Sequence, residues 1–166
     1  ARFSRLLRGP LVVSGELAYL GPGSLERRVT SPHRETTTIP GNTVRIEREE
    51  QEARSFALER MPELEGFLMA FGALLEGDST ALERTFAVAA DGDEAEGWTL
   101  ELTPVSERAR RREIVLRIYG HGDGLRCLAM SDTKGAGSVT MLDDQPSPAI
   151  AAESSFEELI AHCRGR

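Results

Sequence analysis

Apolar positions along this chain switch between two periods, and the switches mark its elements. From Pro62 to Glu76 the side chains Leu64, Phe67, Leu68, Phe71, Leu74 and Leu75 recur at the i, i+3, i+4, i+7 spacing of an amphipathic helix. Pro62 suits a first helical position, where a missing N–H costs nothing, and Gly77 suits the stop. Near the C-terminus Phe156, Leu159, Ile160 and Cys163 repeat that spacing, and Ser155 with Glu158 reads as a capping box. Phe3, Leu6 and Leu7, followed by Gly9-Pro10, read as the tail of a third helix.

The rest alternates with the period of strands. Leu11, Val13, Gly15, Leu17 and Tyr19 share one face of a first strand; Trp98, Leu100 and Leu102 alternate, as do Ile114, Leu116 and Ile118. Shorter strands are expected at Val29 to Ile39, Val44 to Arg48, Arg54 to Leu58, Thr85 to Ala90, Leu125 to Met130 and Ser138 to Leu142. Turn chemistry separates them at Gly21-Pro22-Gly23, Pro40-Gly41-Asn42, Asp91-Gly92-Asp93 and Gly122-Asp123-Gly124. The acidic run Glu47 to Glu52 reads as a solvated hairpin tip. Short turns between successive strands imply an antiparallel meander, since parallel neighbours need long crossovers. A sheet of many short strands curls under its own twist. The expected architecture is α+β: one domain over residues 1–166, its curved antiparallel sheet covered by helices.

Composition narrows the partners. A formal charge of −7 argues against nucleic acid, whose binders are basic, and no apolar stretch approaches the roughly 20 residues of a bilayer span. Ala1-Arg2-Phe3-Ser4-Arg5 leads into no apolar run and does not read as a signal peptide, so a trimmed or mature form is expected.

Candidate chemistry is sparse. His33, His121 and His162 have no helix-spaced His or carboxylate partner, so neither metal nor cofactor is expected. Asp78-Ser79-Thr80 lacks the flanking glycines of a nucleophile turn and reads as a helix cap, with Asp78 or Thr80 capping Ala81 to Arg84. Arg108, Arg110, Arg111 and Arg112 form one dense basic cluster after Pro104; they either meet an anionic headgroup or offset nearby glutamates in solvent. Cys127 and Cys163 both fall on inward faces, which permits a disulfide, the reading to be favoured in an exported protein, or two buried thiols.

The apolar surface is more informative. Aromatic residues make up only 5% of the chain, so aliphatic side chains dominate the inward strand positions. Val13, Leu17, Tyr19, Trp98, Leu100, Ile114, Leu116 and Ile118 on the sheet, with Leu64, Phe67, Leu68, Phe71 and Leu75 on the helix, would line a site for an alkyl chain. Periodicity alone leaves two readings open, a ligand cavity and a filled core.

The stretch Gly15-Glu16-Leu17-Ala18-Tyr19-Leu20-Gly21-Pro22-Gly23-Ser24-Leu25, then Pro32, resembles the opening strands of the LolA family of lipoprotein carriers, where one strand runs into a proline turn and the next ends at another proline. The later order is also similar: an amphipathic helix, Leu75-Glu76-Gly77-Asp78, Phe86, the strand from Trp98 to Pro104, and the strand from Ile114 to Tyr119, together spanning most of residues 3 to 143. The resemblance is closer to a LolA-related branch than to the standard carrier. It implies an unclosed half β-barrel covered by α-helices that carries lipid or lipoprotein acyl chains through the periplasm, without cofactor or catalysis, between donor and acceptor proteins of the two membranes. Three departures accompany it: Gly21 where the standard carrier has a lid-latching arginine, Val44-Arg45-Ile46-Glu47 in place of an aromatic strand, and a helix from Ser155 to Arg164 in place of strands. The alternative is an envelope interaction or sensor module of the same fold with no transported cargo. An enzyme of cone-shaped α+β type would need an inward His or carboxylate, which the clearest strands do not supply.

Overall fold

A computed structural model describes residues 1–4, 8–111, 113–133, 136–142 and 154–165, apart from the side chains of Pro62, Glu63 and Arg108. The fold is α+β, with two antiparallel sheets that stay unclosed among the described residues. Backbone contacts divide the chain into two compact units, residues 13–85 and residues 1–12 with 86–166.

The unit of residues 13–85 is a meander of β2 (Ser14–Gly21), β3 (Ser24–Ser31), β4 (Glu35–Pro40), β5 (Thr43–Arg48) and β6 (Arg54–Ala57), following the two-residue β1 (Arg2–Phe3) of the other unit. Pairing is antiparallel throughout, so residues in register share a face. One face carries Tyr19, Leu25, Ile39, Val44 and Phe56 near the β2–β3 turn, with Leu25, Ile39 and Val44 almost fully buried. The opposite face carries Glu16, Glu26, Arg28, Arg45 and Glu47, paired among themselves in solvent.

Two expectations change here. The strand from Val29 to Ile39 is two strands, because Pro32 has no N–H to give the ladder and the chain reverses between Ser31 and Glu35. The first strand starts at Ser14, while Leu11 instead bridges Arg2 and is 46% exposed. Gly15 is needed at the start of β2, since a Cβ there would lie 1.9 Å from the Arg28 carbonyl oxygen. Here β2 shifts register against β3.

A short 3₁₀ turn (Leu58–Arg60) leads into α1 (Pro62–Leu75), the expected helix. It ends in a Schellman motif: Gly77 takes a positive φ of 67°, its N–H donates to the Leu74 carbonyl, and the Asp78 N–H donates to the Ala73 carbonyl. Asp78 then caps α2 (Ser79–Thr85) by accepting from the Ala81 N–H at 2.8 Å.

The second unit holds β7 (Phe86–Asp93), β8 (Gly97–Pro104), a one-turn α3 (Glu107–Arg110), β9 (Val115–His121), β10 (Gly124–Ser131), β11 (Gly137–Met141) and α4 (Phe156–Cys163), in the sheet order β1-β11-β10-β9-β8-β7. Phe3 belongs to β1, paired with Gly137, and its ring meets Phe156 edge-on at 5.5 Å. It is therefore not helical; two apolar residues carry too little period to tell helix from strand. Leu6 and Leu7 lie outside the described residues. Asp91-Gly92-Asp93 is ladder rather than turn, because Gly92 (φ 88°) stays paired and the Asp93 carboxylate caps the turn by accepting from Ala95 and Glu96.

The capping box at α4 forms as the sequence predicts, with Ser155 accepting from the Glu158 N–H and the Glu158 carboxylate accepting from the Ser155 N–H. The helix buries Leu159, Ile160 and Cys163 against Tyr119, Cys127, Ala129 and Val139. A disulfide joins Cys127 to Cys163 across a sequence separation of 36 residues. Removing it in Cys127→Ser/Cys163→Ser is expected to cost roughly 2–4 kcal/mol, read as a lower urea midpoint, with the m-value rising as the unfolded chain loses its cross-link; equal midpoints would overturn this role.

Candidate functional site

The apolar candidates fall in both units. In residues 13–85, Leu17 and Tyr19 alternate along β2 and are half-buried, and Val13 is half-buried just before the strand. On α1, Leu64 and Phe67 are half-buried, Leu68 and Phe71 are buried, and Leu75 is 47% exposed. Leu75 thus departs from the expected covered stripe, because it is the last helical residue and the chain turns away at Gly77.

Tyr19 fixes α1 to the sheet of its unit. Its ring meets Phe71 edge-on at 6.2 Å, and Phe71 stacks on Phe67 at 5.6 Å. Gly72 makes room, since a Cβ there would sit 3.0 Å from the Tyr19 hydroxyl. That hydroxyl donates to the Glu76 carboxylate at 2.5 Å. A strand residue therefore holds the end of the helix.

From Gly66 to Leu75 no residue of α1 has a polar side chain. Its uncovered side exposes Met69 at 50%. The sheet face beneath is apolar at one end and mixes charged with apolar residues toward the other. Leu17, Arg27, Thr37, Ile46 and Arg54 form a second cross-strand row, and Val29, Glu35 and Arg48 a third. Glu35, with 11% of its side chain exposed, accepts from Arg48 at 2.6 Å and Arg27 at 3.5 Å. The clearest strand runs supplied no inward carboxylate; this one lay hidden in the stretch Val29 to Ile39, whose face assignment depended on the break at Pro32.

In the other unit, Trp98, Leu100, Leu116 and Ile118 share one sheet face by register, joined by Leu102 and Leu128, which are almost fully buried. Ile114 is half-buried just before β9. Trp98 is committed to the fold: its indole N–H donates to the Gly122 carbonyl at 2.8 Å, and a Cβ on Gly120 would lie 2.0 Å from its ring. α4 covers the opposite face, so the disulfide stands apart from the apolar candidates.

The basic cluster is an exposed turn. Ser106 caps α3 by accepting from the Ala109 N–H, Arg111 lies 3.7 Å from Glu107 in solvent, and Arg110 is exposed. Arg112 and the Arg108 side chain lie outside the described residues. His33 is in the exposed β3–β4 turn, His121 pairs with the Ala95 carbonyl, and His162 is half-buried on α4. Among the described residues no group of three His, Cys, Asp or Glu is placed to hold a metal, and no helix is long and apolar enough to cross a membrane.

The family model for the outer membrane lipoprotein carrier protein LolA-like matches residues 1–165. The chain belongs to this LolA-like family. Its members are carriers in general, not enzymes. No curated relative matches the sequence. Membership gives the helix contact a context: this LolA-like chain closes the end of α1 with a tyrosine and a glutamate.

The Glu76 carboxylate, as acceptor and as nearby negative charge, together with burial, pushes the Tyr19 hydroxyl from 10.0 up to about 12. A pKa raised by folding means that the contact contributes in full below about pH 10 and is lost as pH rises through about 12. In Tyr119→Phe, which removes a buried hydroxyl lacking a hydrogen-bond partner among the described residues, phenolate absorbance is expected to report Tyr19 alone. It should titrate near 12, and Glu76→Gln should move it back toward 10; titration at the ordinary value in both would refute the latch.

Proposed function

We propose that this LolA-like chain is a periplasmic carrier acting as one domain over residues 1–166, and that it shelters the acyl chains of a lipoprotein or lipid. The observation that carries this reading is the apolar run Gly66–Leu75 of α1, held by Tyr19 against a sheet face of Leu17, Leu25, Ile39 and Val44. Burying an alkyl tail there contributes about 0.8 kcal/mol per methylene, before the cost of association. Trp98, Leu100, Ile114, Leu116 and Ile118, in the other unit, are further apolar lining candidates in this reading. Donor and acceptor proteins of the two membranes are the partners it requires.

Phe67 stacks on Phe71 yet is only half-buried, so a substitution there alters the lining with limited damage to the core. Phe67→Asp is expected to weaken uptake of a fluorescent fatty-acyl probe at least about tenfold at unchanged circular dichroism, since desolvating a carboxylate beside the tail is costly. Native mass spectrometry of the gently purified protein should show a bound lipid. Failure of the purified protein both to retain a lipid and to take up any acyl probe would leave the cargo-free interaction module as the surviving reading.

A further inference from the structure

The carrier reading leaves the polar end of the cargo unassigned, and the sheet of residues 13–85 has an unusual feature that speaks to it. On the face that α1 meets through Tyr19, the inward positions of β3 run Leu25, Arg27, Val29; those of β4 run Ile39, Thr37, Glu35; those of β5 run Val44, Ile46, Arg48; and those of β6 run Phe56, Arg54. β4, β5 and β6 are apolar at the end near Tyr19 and become polar or charged toward the other, whereas β3 sets Arg27 between the buried Leu25 and Val29. Face alternation places apolar residues at such positions unless something polar must be met there, since desolvating an unmatched charge is costly.

The charges do not balance. On the opposite face Arg28 is shared by two carboxylates, Glu16 and Glu26, and Arg45 has Glu47. On the inner face the ratio is inverted: two guanidiniums share the single carboxylate of Glu35, one on each oxygen. Arg27 and Arg48 each use one N–H there and have no other ion pair among the described residues, and Arg54, on the same face, has none. The acidic turn beyond β5 is exposed, and Glu49 there is spent on Arg34 at 3.8 Å. The inner face thus holds two guanidinium charges in excess within a chain of formal charge −7. Arg27 and Arg48 are about four-tenths exposed, so their remaining donors are reachable.

We propose that Arg27 and Arg48, assisted by Arg54, receive the anionic headgroup, phosphate or carboxylate, of the lipid whose tail lies on the apolar end of the same face. Guanidinium donors in fork geometry match both anions, and Glu35 keeps the two arginines aimed while the site is empty. The proposal rests on the carrier reading and adds the class of cargo: an anionic amphiphile.

Calorimetric titration of the full chain at low salt with dodecyl phosphate, dodecanoate and dodecanol tests it. The two anions are expected to bind about 3- to 10-fold tighter than the alcohol, with the preference shrinking as salt is added. Arg27→Gln/Arg48→Gln should erase the preference while leaving dodecanol affinity unchanged. If that double variant misfolds, Arg54→Gln, which breaks no ion pair, should still lower the preference about twofold. Equal affinities for all three tails would overturn the headgroup site and leave the carrier reading intact. Absence of binding by any tail would sink the carrier reading and this proposal with it. Inorganic phosphate alone competing as well as dodecyl phosphate would mark a small-anion site and overturn the proposal.

Discussion

An antiparallel sheet shows alternate residues to opposite sides, and a face built from leucine, isoleucine and valine must be covered by something other than water. In residues 13–85 that requirement meets α1, a helix too apolar over Gly66–Leu75 to stand in solvent alone. The contact between them is narrow and chemically mixed. Tyr19 offers its ring to Phe71, fits into the space left by Gly72, and ties its hydroxyl to Glu76. Most of its aromatic attraction is nonspecific, whereas the hydrogen bond depends on one proton. The C-terminal end of the helix is therefore fastened by one ring contact and one hydrogen bond from a single strand residue.

The second unit divides its labour by face. One side of its sheet is sealed by α4, with a capping box, a cluster of aliphatic side chains and the Cys127–Cys163 link. That link ties α4 to β10. The other side presents Leu100, Leu102, Leu116, Ile118 and Leu128, with Trp98 laid flat over Gly120. The apolar candidates of this unit thus lie on the face away from α4, with Leu102, Leu116, Ile118 and Leu128 buried there.

Polarity is graded along the sheet of residues 13–85. Leu25, Ile39 and Val44 form a greasy end, Arg27, Thr37, Ile46 and Arg54 a mixed middle row, and Glu35 and Arg48 stand beside the buried Val29 in the last. Such a gradient matches an amphiphile better than it matches a uniform core, whose interior has no use for guanidiniums. The dense run from Arg108 to Arg112, more conspicuous in the chain, is the weaker candidate, because its described members stand on a single exposed turn.

Periodic and capping signals were legible because they are local. The α1 stripe, the Gly77 stop, the Asp78 cap, the Ser155–Glu158 box and the alternation from Trp98 to Leu102 each act within a few residues, so the chain states them directly. The LolA-like pattern was readable for the same reason, as an ordered series of short segments. Register, by contrast, is a relation between segments distant in sequence. Only pairing shows that Arg27, Arg48 and Arg54 lie on one face, that Phe3 joins β11, and that Gly92 stays in its ladder. Tyr19 reaching Glu76 across 57 positions is decided in the same way. Local steric preference sets which elements form, but which side chains meet depends on how the twisted strands and helices pack, and no window of sequence contains that information.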